Sequence, residues 1–233
     1  MTEIQHTEKE ITDLDLKFAD SSADSILSWT VSEFGDDAVL STGFGPSGLV
    51  LMHKLSIIKP GSQVFYLDTD LLFNETYELI GRLEDHLDIE IVHVRSHLSL
   101  EEQQRQYGKE LWKTDPDKCC YLRKVLPLKM FLDDKQAWIT GIRRDQSATR
   151  VHTPVISRNE EFGVLKVNPL ARWTEDQIWD YIYINGIPYN TLHDEGYPSI
   201  GCVPCTQPVE NGQNPRAGRW AGITKTECGI HRK

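Results

Sequence analysis

Five cysteines are distributed unevenly along the 233 residues of this chain. Cys119 and Cys120 are adjacent, and Cys202 and Cys205 form a C-x-x-C pair in a segment rich in glycine and proline. The N-terminus is polar and acidic, without the features of a signal or transit peptide, so we expect a reducing, cytoplasmic location. In that setting, two pairs of thiols favour one four-cysteine metal or cluster site over disulfides.

The adjacency of Cys119 and Cys120 bears on which metal group the site would hold. Structural zinc sites usually take each ligand pair from a knuckle with two to four residues between the cysteines. Adjacent residues on a helix diverge by about 100°, because one turn takes 3.6 residues. This is awkward for a single ion and easier for a [4Fe–4S] cluster, in which each sulfur can bind a different iron. The spacing therefore favours a cluster over zinc, and four unrelated buried cysteines remain the third interpretation.

Cys228 is left over from these pairs and lies in the sequence KTECGIH, close to the C-terminus. Lys225 and His231 are near enough in sequence to lower the pKa of its thiol and favour the nucleophilic thiolate. The pattern predicts a candidate nucleophile in a basic tail. An inert surface thiol is the alternative.

A glycine-rich stretch, STGFGPSG, stands where an apolar run gives way to a helical pattern. Its candidate ligand-binding residues are Ser41, Gly43, Gly45 and Ser47. Backbone N–H groups in such a loop, together with the start of a helix, can bind an anion. The stretch is not a Walker loop, because no Gly-Lys-Ser/Thr follows. A plain turn is the alternative interpretation.

Basic residues form local clusters on a chain whose net charge is −10. The candidate anion-binding residues among them are Lys124, Arg143, Arg144, Arg150, Arg216 and Arg219. An acidic chain with basic islands argues against general nucleic-acid binding and suits a small anionic ligand. Asp68, at the end of a predicted strand, could contact a ribose or base. For each of these residues, a surface ion pair or a helix cap is the competing interpretation.

Strand-like and helical patterns alternate over the first half of the chain and must position these residues. Strands are predicted in DDAVLSTGFG, SQVFYLDTD, IEIVHVRS and QAWITGIRRD, with helical periods between them. This alternation predicts an α/β fold with a mainly parallel twisted sheet and helices on both faces. Asn74 is expected to cap one helix, and Pro127 to interrupt another.

The second half of the chain changes character. A hairpin with its turn near Asn159 is predicted, followed by a helix that opens with a capping box from Thr174 to Gln177. We expect three segments: an N-terminal helical segment (1–35), an α/β domain that binds ligand and metal group (36–210) and a mobile, irregular C-terminal tail (211–233). No apolar run approaches the length that a membrane helix needs, so we expect no membrane partner.

Seven motifs in fixed order carry a resemblance to a known family. They are STGFGPSG, YLDTD, KCC, GIRRDQSATR, GCVPCTQP, RAGRW and KTECGIH, and they extend from about Ala38 to His231. The chain resembles the sulfonucleotide reductases of assimilatory sulfate reduction and cysteine biosynthesis, most closely the iron–sulfur adenylyl-sulfate (APS) reductases. The resemblance implies an adenine nucleotide α-hydrolase-like fold and a substrate that is APS or its 3′-phosphorylated form, PAPS. The implied products are sulfite and AMP, or 3′-phosphorylated AMP.

The resemblance also implies residue roles. Cys228 matches the nucleophile that becomes an S-sulfocysteine, from which thioredoxin or a similar dithiol releases sulfite. The four paired cysteines match the ligands of a [4Fe–4S] cluster. Lys124, Arg216 and Arg219 would face the phosphosulfate, and the assembly would be a homo-oligomer.

Three alternatives to an APS reductase remain at this point. The first is a PAPS or dual-substrate reductase, which the glycine-rich loop does not distinguish. The second is a nucleotide-activating sulfurtransferase, disfavoured because Gly45 and Pro46 stand where ATP pyrophosphatases carry Asp and Ser. The third is an iron–sulfur or zinc redox regulator, which leaves Cys228 and the arginine motifs unexplained.

Overall fold

The fold is given by a computed structural model, which describes residues 6–210, 212–222, 225 and 229–231. Its helices are α1 (Glu8–Phe18), α2 (Ala23–Phe34), α3 (Pro46–Ile58), α4 (Asn74–His86), α5 (Leu100–Tyr107), α6 (Leu111–Thr114), α7 (Pro116–Cys120), α8 (Leu126–Leu132) and α9 (Glu175–Ile184). Its strands are β1 (Ala38–Thr42), β2 (Ser62–Asp68), β3 (Ile89–Arg95), β4 (Ala137–Ile139), β5 (Ile156–Asn159) and β6 (Val164–Val167). The predicted alternation of strands and helices is confirmed.

In the described part of the chain, the strands form one sheet in the order β3–β2–β1–β4–β6–β5. All neighbours are parallel except β5 and β6, which form the predicted antiparallel hairpin. The chain moves from β1 to one edge of the sheet and then returns to β4 on the other side of β1. Ligands of open α/β sheets bind at such a reversal, beyond the carboxyl ends of the strands.

Helices cover both faces of the sheet, as the sequence predicts. On one face Leu40 and Val64 lie in a buried cluster with residues of α2, α3, α4 and α9. On the other face Val39, Phe65 and Trp138 pack with residues of α8. Successive strand residues point to opposite faces, so a strand that is covered twice reads as a continuous apolar run.

The edge strand β5 is covered by α1. One carboxylate oxygen of Asp15 accepts hydrogen bonds from the backbone N–H groups of Val155 and Ile156, at 2.8 and 2.9 Å. Arg158 forms an ion pair with Glu8 at 2.8 Å. The N-terminal helix therefore satisfies backbone donors at an edge that would otherwise be open to pairing with another strand.

The structure confirms one of the two predicted helix starts and corrects the other. The capping box of α9 is confirmed, since Thr174 and Gln177 each bond the backbone N–H of the other. The predicted cap at Asn74 is wrong by one residue: Phe73 has the extended backbone of the cap position, and Asn74 is the first helical residue. Phe73 makes no side-chain capping bond, so the usual chemical signal for this start is missing.

The helix that Pro127 is predicted to interrupt contains a wider, π-helical turn just before this proline. Residues Tyr121–Val125 are π-helical between α7 and α8, and the N–H of Leu126 donates to the carbonyl of Tyr121, five residues back. Pro127 has no N–H to continue the α-helical ladder at this point. The π turn carries Lys124, and such turns are frequent at functional sites.

Candidate active site

The glycine-rich loop after β1 forms one wall of the site. Thr42 Oγ1 accepts a hydrogen bond from the N–H of Phe44 at 2.9 Å, and Phe44 has a φ of 57°. The loop then enters α3 with Gly45 as the cap and Pro46 in the first turn. Gly48 is required by space, because a Cβ there would lie 2.5 Å from Thr42 Oγ1. The loop is thus held close against the start of α3.

The loop after β4 forms the adjacent wall. Gly141 lies so close to α3 that a Cβ would come within 3.1 Å of the Cβ of Ser47. Arg143 is buried and donates from Nη1 to Ser47 Oγ at 2.6 Å and from Nε to Asp145 at 2.9 Å. Its charge is therefore compensated within the protein. Arg143 holds two walls together, which differs from the direct anion contact that the sequence suggested.

A cavity of about 610 Å³ opens between these walls at the carboxyl ends of β1 and β4. Its lining includes ten of the predicted ligand-binding residues: Ser41, Gly43, Gly45, Ser47, Lys124, Arg143, Arg144, Arg150, Arg216 and Arg219. Lys124, Arg216 and Arg219 come from segments far apart in sequence. The fold thus brings the basic islands of the sequence to one cavity.

Arg219 is fixed by the segment that carries the C-x-x-C pair. The N–H of Trp220 donates to the carbonyl of Cys205 at 3.0 Å, and Thr206 is paired with Arg219 across an antiparallel bridge. A Cβ at Gly201 would overlap the Arg219 guanidinium. Arg219 Nε is buried without a hydrogen-bond partner among the described residues.

The four paired cysteines line a second, smaller cavity. Cys119 and Cys120 come from α7, whereas Cys202 and Cys205 come from the irregular segment that follows α9. Thr69 Oγ1 lies 3.2 Å from the sulfur of Cys202. The fold thus brings the two cysteine pairs to one cavity.

The burial and close grouping of the thiols raise the pKa of two of them. Burial, together with the nearby Cys202 and Cys205, raises the pKa of Cys119 to about 11, against the influence of Arg123 and Lys124. Burial and Cys202 likewise raise the pKa of Cys205. Burial and clustering therefore disfavour the ionised thiolate at both cysteines.

The four cysteines are residues of a type that binds metal groups, although their side chains are not arranged as a closed ligand set in this structure. Four thiols from two segments surround one cavity, and four thiolates are the ligand set of both structural zinc and [4Fe–4S] sites. Within the described ranges, no group of three or more His, Cys, Asp or Glu side chains is arranged so that it could hold a metal ion. The choice between ion and cluster therefore rests on the chemistry of the donors.

Lys124 and Trp220 line both cavities. The π turn presents Lys124 between them, and Trp220 follows directly after Arg219 in the chain. Trp220 has a φ of 53°, an uncommon conformation for a large residue, and its ring lies 4.7 Å from the Arg219 guanidinium carbon. The cysteine cavity and the large basic cavity are therefore contiguous.

Comparison with known proteins shows which family this chain belongs to. Residues 37–208 match the phosphoadenosine phosphosulfate reductase domain. The chain belongs to the phosphoadenosine phosphosulfate reductase family. It is 52% identical to the adenosine 5′-phosphosulfate reductase of Salinibacter ruber, over 94% of this chain and 87% of that protein. It is 47% identical to the enzyme of the same name from Staphylococcus epidermidis, over 95% of this chain and 91% of that protein.

Solved structures agree with this membership of the phosphoadenosine phosphosulfate reductase family. The phosphoadenylyl-sulfate (PAPS) reductase of Candida auris, a phosphate complex, matches with a TM-score of 0.76 and 31% identity, covering 88% of this chain and all of that chain. The FMN adenylyltransferase of Candida glabrata matches with a TM-score of 0.55 and 15% identity, over 91% of this chain and 73% of that chain. The latter likeness concerns the fold alone and confirms the expected adenine nucleotide α-hydrolase-like architecture.

One predicted site residue is not brought to the cavity of this family member. Asp68 is fully buried and accepts hydrogen bonds from Arg95 at 2.7 and 2.9 Å and from Tyr77 at 2.8 Å. Burial raises its pKa, but hydrogen bonds from the Asp70 N–H, Tyr77 and Arg95 outweigh burial and hold the pKa below its usual range. The suggested ribose or base contact is therefore replaced by a structural role at the end of β2.

The predicted nucleophile, Cys228, lies outside the described residues, as does the side chain of His231. The chain nearby is described at Gly229, which is buried, and at Ile230, which lines the large cavity. Lys225 forms an ion pair with Asp117 in α7. The described parts of the tail of this reductase-family chain thus lie against the cavity and against the cysteine-bearing helix.

Arg123 is a site residue that the sequence interpretation missed. It is 1% exposed, lines the cysteine cavity and donates to the carbonyl of Thr69 at 3.0 Å and to Asp70 at 2.8 Å. Its place directly before Lys124 was visible in the sequence, but nothing local indicated that the side chain turns inward. For this family member, Arg123 supplies a buried positive charge beside the thiols.

None of the helices in the described part of the chain has the length and apolar character that a bilayer crossing requires.

Proposed function

We propose that this chain reduces adenosine 5′-phosphosulfate to sulfite and AMP in sulfate assimilation. The observation that carries the proposal is the shared position of Lys124, on the wall of both the basic cavity and the four-cysteine cavity. Two chemistries that the sequence predicted separately are contiguous there. Family membership and relatives of that name at 47–52% identity support the same activity.

The choice of APS over PAPS follows from the degree of similarity. The curated relatives named as adenosine 5′-phosphosulfate reductases are 52% and 47% identical to this chain, whereas the Candida auris PAPS reductase is 31% identical. The four cysteines support the same choice, since the resemblance ties them to the iron–sulfur members that use APS. A PAPS or dual-substrate enzyme is therefore not favoured.

In the first step, the Cys228 thiolate attacks the sulfur of the sulfuryl group. The new S–S bond forms as the bond between sulfur and the bridging phosphate oxygen breaks, and AMP leaves with that bonding pair. The enzyme then carries an S-sulfocysteine. Attack by one anion on another requires that the substrate charge be neutralised, and Lys124, Arg216 and Arg219 line the cavity for this role.

In the second step, a thiolate of a reduced dithiol protein such as thioredoxin attacks the sulfur of Cys228. Sulfite leaves, and the resulting mixed disulfide is resolved by the second thiol of the partner. Sulfur is reduced from the sulfate to the sulfite level, and the dithiol is oxidised to a disulfide. Cys228 must meet the substrate and then the dithiol, so we propose that segment 211–233 closes over the substrate and opens after the first step.

We further propose that Cys119, Cys120, Cys202 and Cys205 hold a [4Fe–4S] cluster. When bound, the cluster would supply charge beside Lys124 and tie α7 to the C-x-x-C segment. Arg123 lines the same cavity, and Thr69 Oγ1 lies 3.2 Å from the sulfur of Cys202, where it can donate to a thiolate. The family resemblance also supports a cytoplasmic homo-oligomer, which light scattering of the purified protein would test.

The decisive experiment uses APS labelled in its sulfur atom. We expect label on the protein after mixing, its release as sulfite when reduced thioredoxin is added, and no bound label in Cys228→Ser. Cys119 is an unsuitable control because it lines the cysteine cavity, so Ser28→Ala, at an exposed position of α2, is the control variant in which the reaction should be unchanged. Protein-bound label in Cys228→Ser would refute the assignment of the nucleophile.

The iron and sulfide content of the purified protein tests the cluster proposal separately. Anaerobically purified protein should be brown and contain about four iron and four sulfide per chain, as a [4Fe–4S] cluster requires. Loss of both in Cys202→Ser, with the fold retained by circular dichroism, is the expected result. Colourless, active protein that contains zinc would rule the cluster out.

A further inference from the structure

The cavity wall carries two carboxylates among its described lining residues, Asp145 and Glu175. Asp145 is bound by Arg143, whose Nε and Nη2 donate to its two oxygens at 2.9 and 3.3 Å. Its charge is therefore compensated by a buried guanidinium. The other acid on this wall, Glu175, has no such pair of hydrogen bonds from Arg143 to neutralise its charge.

Glu175 opens the first turn of α9, where the capping box fixes the direction of the backbone. Its side chain is 51% exposed, and its carboxylate comes only to 3.9 Å from Nη2 of Arg143. That guanidinium already serves Asp145 and Ser47. Glu175 thus places a negative charge at the cavity surface that Arg143 offsets weakly.

Two other cations on this side are engaged by the protein. Arg144 donates from Nε to the carbonyl of Thr153 at 2.9 Å, and Arg150 donates from Nη1 to Gln146 at 2.5 Å. Both residues line the cavity, so they attract anions while Glu175 opposes them. The affinity of this wall for an extra phosphate is therefore set by the balance between these arginines and Glu175.

The position of Glu175 relative to the reacting end of the substrate follows from the fold. Ile230 packs with α8 on one face of the sheet, and Lys124 lies in the π turn directly before α8, whereas α9 packs with α3 on the opposite face. The loop after β1 and Glu175 line the same cavity as Lys124, so they are the walls open to the nucleoside of a substrate whose phosphosulfate lies at Lys124. APS carries no further anionic group there, but PAPS adds a phosphate with nearly two negative charges on its ribose.

We propose that Glu175 makes this site selective for the sulfonucleotide that lacks the 3′-phosphate. The inference rests on the proposed function and assigns its substrate preference to one side chain. Like charges brought together in a partly desolvated cavity are costly, so the carboxylate rejects PAPS more than it affects APS. Glu175 acts through repulsion and needs no contact with APS.

The test compares Glu175→Gln with Asp176→Asn. Both changes remove one negative charge from the first turn of α9, but Asp176 is exposed and does not line the cavity. We expect the ratio of kcat/KM for PAPS to kcat/KM for APS to rise about tenfold in Glu175→Gln, as for the loss of one partly screened charge pair. The ratio should be unchanged in Asp176→Asn.

A binding measurement makes the result independent of catalysis. Calorimetry with AMP and with adenosine 3′,5′-bisphosphate should give a weaker Kd for the bisphosphate in the wild type. Glu175→Gln should bring the two Kd values about tenfold closer together, and Asp176→Asn should not. If Glu175 had only a structural role, Glu175→Gln would weaken the binding of both nucleotides equally, and the ratio of their Kd values would not change.

Three outcomes would overturn the inference: an unchanged ratio in Glu175→Gln, an equal shift in Asp176→Asn, or wild-type protein that binds both nucleotides alike. A wild type that discriminates between the nucleotides but forms no labelled adduct with APS would instead refute the proposed function. The two failures are thus distinguishable in the same set of proteins.

Discussion

At the scale of single residues, the site depends on where cations lie relative to anions and thiols. Arg143 is compensated by Asp145, and Arg123 is buried beside the cysteines. Lys124 alone among the predicted cations lines both cavities. A cation in that position can stabilise charge that develops during attack on the sulfuryl group.

Lys124→Ala should therefore lower kcat by at least about a hundredfold, the magnitude typical of a lost electrostatic contact in a transition state. Its free energy of unfolding should change by less than about 1 kcal/mol, as for a partly exposed side chain. Steady-state kinetics and urea denaturation measure the two quantities. Lys129→Ala, on the exposed side of α8, is the matched control, and equal kinetics in both variants would remove Lys124 from the site.

Lys166 is a second residue with an unusual environment. Burial, with a smaller contribution from Arg150, lowers the pKa of Lys166 to about 8. Its ammonium lies 4.9 Å from the centre of the Trp138 ring. The unfolded chain keeps the ordinary lysine pKa of about 10.4, so the unfolded state binds more protons between these two values.

The free energy of unfolding should therefore rise as pH increases from about 8 to about 10, and Lys166→Met should abolish that rise. Below pH 8 both states are protonated, and the variant should be more stable than the wild type by about 1 to 2 kcal/mol, after allowance for the lost ring contact. Urea denaturation at several pH values provides the measurement. The rise should persist in Lys129→Met; a flat wild-type profile would contradict the lowered pKa.

At the scale of elements, the loops after β1 and β4 depend on close approach. Gly48 and Gly141 allow α3 to lie against both loops, and Arg143 then bonds Ser47 across the gap. The π turn before α8 adds the third wall, because it carries Lys124. The cavity is thus made by three chain segments that meet only when α3 and α8 are in place.

Gly48→Ala should destabilise the fold by about 1 to 3 kcal/mol, the usual cost of overpacking, and should raise KM. The new Cβ would lie 2.5 Å from Thr42 Oγ1, which also holds the N–H of Phe44. Gly81→Ala in α4 is the control, since a Cβ there meets nothing within 4 Å and should be neutral or slightly stabilising. Thermal melts and APS kinetics test both, and equal behaviour of the two variants would argue against a tight junction.

At the scale of the whole molecule, the reversal of strand order between β1 and β4 places the cavity, and the terminal segments complete the fold. Helix α1 covers the β5 edge, whereas Gly229 is buried and Ile230 lines the large cavity. We therefore expect changes in α1 to alter the free energy of unfolding without altering activity.

Asp15→Ala should lower the free energy of unfolding by about 1 to 3 kcal/mol, because the N–H groups of Val155 and Ile156 lose their acceptor. The kcat/KM for APS should stay within about twofold of the wild type, because Asp15 does not line the cavity. Denaturation and kinetics on Asp13→Ala, an exposed neighbour in α1, supply the comparison. A matching loss of stability in Asp13→Ala would attribute the effect to charge on α1 instead.

The sequence alone determined the elements and the chemical inventory of this protein. Continuous apolar runs indicated strands covered on both faces, because period and burial are local properties. The order and spacing of the cysteine and arginine motifs indicated the family. Only the tertiary structure decided how side chains pair: Asp68 turns to Arg95, Arg143 is neutralised by Asp145, and Lys124 lies between two cavities. A side chain's charge and direction depend on partners supplied by distant segments or by the local path of the backbone, and motif spacing carries no record of either.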